Sequence, residues 1–517
     1  MRTIAVVGIT LACACRVAAQ LTSIVPDFAV SSLTGKPVYR PGLTVHTTTG
    51  AFAISWADER YGTSSAGRLA GIGDIFAAVY SSNGQPASNN FKVGDIKFGF
   101  FSDFSLYDSS PLLLPGGNLV VSYHVDARAT IESVKFDDVY YSAYTPAGSA
   151  ITLDTQLNMV GTTGSGYAYM PQAALFGSDF LIVYRYYFND AYQIGGTLVS
   201  GSTGSRLSDA FAINDATAGG RTRPHVASNG TQTIVVWTDG RADTNGDIYL
   251  QRYSGATASG ANAKVNDDAS GSVNELARVA MNGAGSAVVV WIDTRSNAGG
   301  DLYAQRYNSS GAAVGANFKL TNSNSAFLEY PPAVALDDAG NFVVVWTDSL
   351  PGQQWSVKTR AYSSSNTPLT GVLEVTSPAS ASIQGDVKIG PDGRIYYAWL
   401  DGRTDINNGR IYAKIASLTG ITSVHKDETP GTFSLSQNYP NPFNPSTTLA
   451  YDLPIPAQVS LRVYDVLGRE LHELVGTQQE PGHHQVTFDA AGLSSGIYVY
   501  RLTAGPYTAA GKMLLTR

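Results

Sequence analysis

The sequence predicts an all-β protein: a seven-bladed β-propeller followed by a C-terminal immunoglobulin-like β-sandwich. Three observations carry this. Residues 287–307 read AVVVWIDTRSNAGGDLYAQRY, an apolar run ending in Trp291, then Asp293 and Arg295, an Asn/Gly-rich loop and a second run. The same sentence recurs from Ile234, Phe342 and Ile395 and traces back to Ala53. The aromatics that end the apolar runs are Trp56, Tyr123, Tyr184, Trp237, Trp291, Trp346 and Trp399, spaced 53 to 67 residues apart. Such a period suits multi-stranded blades, and the units lack the 3.6-residue apolar pattern of helical repeats. Finally, 29 Tyr and 53 Gly with only 15% charged residues favour short strands and turns over long solvated helices.

Taken in order, the chain opens on an export signal. Arg2 supplies the positive charge, residues 4–15 the apolar stretch and Val17-Ala18-Ala19 the small-residue cleavage site. The apolar stretch is too short to span a bilayer, and no later segment reaches the roughly 20 apolar residues a span needs. Both cysteines, Cys13 and Cys15, lie inside this signal. Cleavage after Ala19 leaves a chain with no thiol, so packing rather than disulfides must supply stability. The net charge of −7 is spread without a basic block, which leaves nucleic acid no electrostatic footprint.

The repeats occupy residues 20–418. Val288, Val289, Val290 and Trp291 are apolar on both faces, as a strand sandwiched between neighbouring sheets requires. In the next run Tyr303, Gln305 and Tyr307 alternate with Leu302, Ala304 and Arg306. Asn282-Gly283 and Pro391-Asp392-Gly393 are turn signals ahead of the Trp strands. Burying one Trp between blades contributes at most about 4–6 kcal/mol. After residues 410–415 the seventh unit has no fourth strand of its own. Phe28 precedes Trp56 by the same 28 residues that separate Phe318 from Trp346 and Ala263 from Trp291. Residues 27–30 therefore fall in register as the missing strand, closing the ring from the other end of the chain.

Residues 419–432 are a polar linker with Gly and Pro, and residues 433–517 carry six or seven alternating strands, the size of an immunoglobulin-like sandwich. Three separated motifs stand in this last stretch. They are Asn438-Tyr439-Pro440-Asn441-Pro442-Phe443-Asn444-Pro445, then Val463-Tyr464-Asp465-Val466-Leu467-Gly468-Arg469, then Gly496-Ile497-Tyr498 with Arg501-Leu502, and Lys512-Met513 follows. In this order they resemble the type A sorting domain of the bacterial type IX secretion system. A flagellar hook-cap type module has a similar opening. The resemblance implies export across the outer membrane, attachment at the cell surface or release, and the secretion machinery as a partner. The repeats resemble secreted bacterial W-x-D-x-R propellers, a group without a common activity. The S-x-D-x-G-x-T-W box of sialidases is absent.

Candidate chemistry falls into three groups. The Asp-x-Arg pairs Asp58/Arg60, Asp126/Arg128, Asp239/Arg241, Asp293/Arg295 and Asp401/Arg403 could grip carboxylated sugars. Repetition in blade after blade suits a brace between blades better, because a catalytic constellation needs different residues in different blades. Asp243, Asn245 and Asp247 mimic the start of a calcium loop, but no bidentate Glu follows, so a plain hairpin competes and calcium is the sole cofactor considered. The irregular units supply the third group: Phe101, Phe104 and Tyr107 in one aromatic stretch, Arg185, Tyr186, Tyr187 and Tyr192 in another, and Arg128 between them. Aromatic faces stack on sugar rings and Tyr adds a hydrogen-bonding tip; a hydrophobic plug over that face is the bland alternative.

Catalytic signals are sparse. No H-E-x-x-H occurs, His46, His124 and His225 are scattered, and Gly492-Leu493-Ser494-Ser495-Gly496 has no following helix to make a nucleophile elbow. Asp103, Asp126, Asp137, Asp138 and Asp190 are the carboxylates from which a general acid and base could be drawn. The reading favoured is a non-catalytic module for an extracellular polysaccharide or protein. A carbohydrate-active hydrolase or lyase and a purely structural display protein are the alternatives.

Overall fold

A computed structural model describes residues 20–32, 38–58, 74–94, 109–126, 137–157, 168–188, 190–215, 219–268, 271–321, 330–348, 355–376, 381–403, 409–419, 433–435, 437–438, 441–479 and 482–516. The described residues are all strand, turn and loop, and they divide into two compact units, 1–421 and 422–517. The stretch read as an export signal, residues 1–19, lies outside them.

The first unit holds seven four-stranded antiparallel sheets. Each begins with the strand nearest the centre: Val38–Val45, Ser109–Leu113, Ala168–Phe176, Arg221–Ser228, Asn274–Met281, Ala333–Leu336 and Ser382–Ile389. Each of these strands meets its counterparts in the sheets before and after it, and the seventh returns to the first. The arrangement is β-propeller-like. Its second strands, such as Phe52–Asp58, Gln232–Asp239 and Ala287–Asp293, are buried along both faces because each is sandwiched between neighbouring sheets. The strand Asp301–Tyr307 is buried throughout as well, so its alternation in sequence separates two packed faces and not a dry face from a wet one.

Packing between the sheets is tight. A Cβ on Gly42 would lie 2.7 Å from Pro111 Cδ and 2.9 Å from Ser109 O, so only glycine lets the first sheet approach the second. The strand-end aromatics are the wedges: Trp56, Trp237, Trp291 and Trp399 are fully buried, as are Tyr123 and Tyr184. The seventh sheet runs Ser382–Ile389, Ile395–Asp401, Arg410–Thr419 and then Gln20–Ala29. Phe28 pairs with Ala413 and Ala29 with Tyr412. Ser31 Oγ also accepts the Ile411 amide at 2.9 Å.

Five of the seven central strands share a local distortion. The ladder slips between Tyr39 and Gly42, Tyr169 and Gln172, Thr222 and His225, Glu275 and Arg278, and Ile383 and Asp386. Inside each slip one non-glycine residue takes a left-handed backbone: Arg40 (φ 45°), Met170 (55°), Arg223 (57°), Leu276 (60°) and Gln384 (57°).

The second unit has eight strands between Ser434 and Leu515. A three-stranded sheet and a larger sheet built on Ala457–Tyr464 and Gly496–Ala504 enclose one core that includes Phe443, Leu461, Phe488, Tyr500 and Met513. Two of the eight strands are only two residues long, which is why the sequence shows six or seven.

Candidate ligand-binding site

The Asp-x-Arg pairs form a brace. Trp237, Trp291 and Trp399 donate their indole N–H to Asp239, Asp293 and Asp401 at 2.8, 3.1 and 2.9 Å. Each carboxylate also accepts the amide and guanidinium of the Arg two residues on. That guanidinium stacks on a tyrosine, Arg241 over Tyr249 at 4.3 Å, Arg295 over Tyr303 at 4.5 Å and Arg403 over Tyr412 at 4.0 Å. It then reaches out of its own sheet: Arg241 pairs with Asp215 at 2.5 Å and Arg295 with Asp267 at 2.6 Å, each beyond the outer strand of the preceding sheet. In the seventh sheet Arg403 instead pairs with Asp27 at 3.1 Å, on that sheet's own outer strand, which the other end of the chain contributes. Burial opposes the Arg295 charge, but hydrogen bonds to Asp293 and Asp267 outweigh it and raise its pKa. For Arg403 the hydrogen bond to Asp401 dominates in the same direction. These arginines are committed to structure. Arg60 and Arg128 lie outside the described residues, and in the second sheet Asp126 stands one residue beyond the position of Asp58, Asp239 and Asp293, facing Asp137 across the ladder.

The third sheet breaks the pattern. Tyr186 stands where the brace has its Asp, and it is only 6% exposed, packed beside Tyr184 in the core. Its ring therefore faces protein. Phe188 holds the place of the brace Arg, and Arg185 does something else: its guanidinium lies 3.4 Å over the Tyr192 ring and 5.8 Å from Tyr169, and Nη1 donates to Thr222 Oγ1 at 3.2 Å. Nε has no hydrogen-bond partner among the described residues. Burial lowers the pKa of this guanidinium. Tyr187 packs edge-on against Tyr192 with ring centroids 5.0 Å apart. The expected partners Phe101, Phe104, Tyr107 and Arg128 lie outside the described residues.

In the loop proposed for calcium, Asp243 accepts the Asn245 amide at 2.9 Å and the Gly271 amide at 2.6 Å, while the Asn245 side chain donates to Gly271 O at 3.1 Å. Asp247 pairs with Lys264 at 2.8 Å and accepts from Asn266. Among the described residues no three His, Cys, Asp or Glu side chains converge to hold a metal.

Sequence reasoning missed the central channel, a cavity of about 330 Å³ walled by all seven central strands. Among the described residues its charged lining is Arg40, Arg223, Arg278 and Lys388 with Asp386. Asp386 is itself engaged: Oδ2 accepts the Leu43 amide at 2.9 Å, and Oδ1 accepts the Val387 amide at 2.7 Å and faces Lys388 at 3.5 Å. His225, also in the wall, accepts the Val279 amide on Nδ1 at 3.2 Å. Burial, then Arg278 and Lys388, hold its pKa well below 6.5, so the ring is neutral. A signal for this wall did exist in the sequence: Arg40-Pro41, Met170-Pro171 and Arg223-Pro224 each stand shortly before a strand-end aromatic.

In the second unit the described residues of the sorting motifs are structural. Asn438 is 1% exposed; its side chain donates to Thr447 Oγ1 at 2.9 Å and its amide to the Tyr500 hydroxyl at 3.1 Å. Asn441 accepts the Leu514 amide at 2.8 Å and donates to Lys512 O, and its peptide to Pro442 is cis. Pro440 lies outside the described residues. Tyr464 ends a strand, and Asp465 caps the turn after it by accepting the Leu467 and Arg469 amides and the Arg469 side chain. Gly468 takes the φ of 79° that this turn needs. Gly496 opens the strand Gly496–Ala504, and the Tyr498 hydroxyl donates to Ser494 O at 2.6 Å.

No helix among the described residues is long and apolar enough to cross a membrane. Among curated proteins none matches the chain. Solved structures of similar outline include a fungal alcohol oxidase of the AA5 family in complex with copper (11% identity, TM-score 0.45, covering 97% of this chain and 100% of its own). Polysaccharide lyase Uly1 shows 11% identity and a TM-score of 0.46 over 73% of this chain and 89% of its own. The NanB sialidase of Streptococcus pneumoniae shows 11% identity and a TM-score of 0.42 over 78% and 71%. None of these likenesses carries a chemistry over to this chain. Residues 437–516 match the family described as secretion system C-terminal sorting domain. This protein carries the sorting domain of the type IX secretion system and is exported by that route to the cell surface or beyond it.

Proposed function

We propose that the first unit is a seven-bladed β-propeller, the second an immunoglobulin-like sandwich, and the exported protein a non-catalytic module that binds an extracellular glycan. The supporting observation is the third sheet. There the brace is abandoned, and Arg185, Tyr192 and Tyr187 form a cation-bearing aromatic cluster with an unpartnered Nε. Stacked aromatics with a polar tip suit a sugar ring.

The test uses the purified chain on a panel of polysaccharides, scoring retention and released reducing ends together. Retention of at least one polysaccharide without product, weakened about tenfold or more by Arg185→Ala or Tyr192→Ala, is the expected result. Release of reducing ends would replace this reading with a hydrolase or lyase. No retention on any polysaccharide would overturn it in favour of a protein partner or a display role.

A further inference from the structure

We propose that the strand Tyr507–Leu515 of the second unit offers its open backbone edge, at Thr508 and Ala510, to the secretion machinery, which adds an extended strand of its own there. Only residues of the second unit are involved, so this reading and the glycan reading fail separately.

Register shows which backbone groups are open. Tyr507–Leu515 is the outermost strand of its sheet, and it pairs on one side with Gly496–Ala504 without a slip. On its other side Lys512 O accepts from the side chains of Gln437 at 2.7 Å and Asn441 at 3.3 Å. The Leu514 amide donates to Asn441 Oδ1 at 2.8 Å, and Leu514 O accepts the Phe443 amide at 2.9 Å. The Thr516 amide donates to Phe443 O at 3.0 Å. Residues of an antiparallel strand alternate between bonding their partner strand and facing away from it. The even-numbered residues here face away, so the N–H and C=O of Thr508 and Ala510 point outward as well. No described residue bonds to these groups.

The edge is thus capped over one half and bare over the other. The cap is fixed, because the Phe443 side chain is 2% exposed in the core and Asn438 is held by Thr447 and Tyr500. At the far end Phe433 stacks on Tyr507 with ring centroids 5.0 Å apart, a side-chain contact that leaves the neighbouring peptide groups uncovered. Soluble proteins protect bare edges with charge, proline or a bulge. Residues 507–511, Tyr-Thr-Ala-Ala-Gly, carry none of these, and Thr508 and Ala510 are exposed and small enough for another strand to approach. Such an edge binds by strand addition, its peptide groups supplying the affinity. The occupant follows from the family match: it runs from residue 437, the first of the cap, to residue 516, the last that the cap bonds. Cap and edge strand both belong to the module that addresses the chain for export, and the partner such a module must meet is the machinery.

The test expresses the full chain in a bacterium that has a type IX secretion system and measures the fraction reaching the cell surface or the medium. Ala510→Pro removes one outward N–H and sets a ring where the incoming strand would lie, yet it keeps the ladder to Gly496–Ala504. Export should fall about tenfold or more in Ala510→Pro and in Thr508→Pro, and stay unchanged in Ala510→Ser. The purified proline variants should unfold within a few degrees of the unmodified chain. Hydrogen exchange on the unmodified chain needs no variant to fold: the Thr508 and Ala510 amides should exchange much faster than those of Ala509 and Gly511, which bond within the ladder. Undiminished export of well-folded Ala510→Pro, equal loss of export in Ala510→Ser, or equal protection of all four amides would each overturn the proposal. A dimer of the purified chain that Ala510→Pro dissolves would overturn it too, by giving the edge to a second copy.

Discussion

The fourth, fifth and seventh sheets and the third and sixth answer one packing problem in two ways. In the first group Trp, Asp and Arg close a network in which the buried carboxylate is matched by the indole and the guanidinium, and the arginine ties the sheet to a neighbouring strand. In the third sheet Tyr186 and Phe188 replace the Asp and Arg, the ring of Tyr186 turns inward and Phe188 is 40% exposed. In the sixth, Trp346 keeps its place but its indole N–H has no hydrogen-bond partner among the described residues. The repeat thus keeps the wedge everywhere and relaxes the polar brace locally. The third sheet has no brace arginine, and Arg185, one residue past the wedge Tyr184, stacks on Tyr192.

Removing the brace arginine should break the comparison most visibly. Arg295→Ala leaves Asp293, fully buried, and Asp267 without their cation, at a cost of about 3 kcal/mol. Arg185→Ala, which strands no buried carboxylate, should cost under about 1 kcal/mol while weakening glycan retention. Chemical denaturation of both variants checks this, and equal losses would show that the two arginines do the same job. A smaller effect separates the tryptophans. Trp291→Phe removes a donor from Asp293 and should cost about 2 kcal/mol, whereas Trp346→Phe deletes an unsatisfied N–H and should cost clearly less. Thermal unfolding of the pair decides it.

The smallest effect is a pH dependence that sets channel wall against rim. The brace arginines, with raised pKa values, do not titrate near neutrality. His225 does contribute. Its folded pKa is depressed, so the unfolded chain binds the extra proton, and its share of stability is present above pH 6.5 and lost as pH falls below it. The slope is at most about 1.4 kcal/mol per pH unit. Denaturation midpoints at pH 7 and pH 5 should converge in His225→Gln relative to the unmodified protein, and parallel shifts would exclude His225 as the cause.

What the sequence made legible follows from what repeats. The Trp–Asp–Arg spacing is visible because several units restate it, and Asn438, Asp465 and Tyr498 are visible because they belong to motifs built around turns of the second unit. The channel was not legible, since Arg40, Arg223, Arg278 and Lys388 meet only after seven strands surround one axis. The prolines after Arg40, Met170 and Arg223 hinted at a distorted strand, but nothing in them says which way a side chain turns. Tyr186 misled because an aromatic cluster reads the same whether its rings face sugar or core. Pattern gives the wedge, and only closure gives the wall.

That closure has a consequence in time. The strand Gln20–Ala29 is among the first parts of the repeat region to be synthesised, and its partner Arg410–Thr419 is the last. The contacts that fasten them span 376 residues from Asp27 to Arg403 and 380 from Ser31 to Ile411. Logarithmic loop-closure entropy puts the cost of bringing such distant ends together at about 5 kcal/mol. The latch therefore engages last, and until the final strand arrives the first remains an unpaired edge, the state in which a chain is easiest to thread and easiest to lose to aggregation.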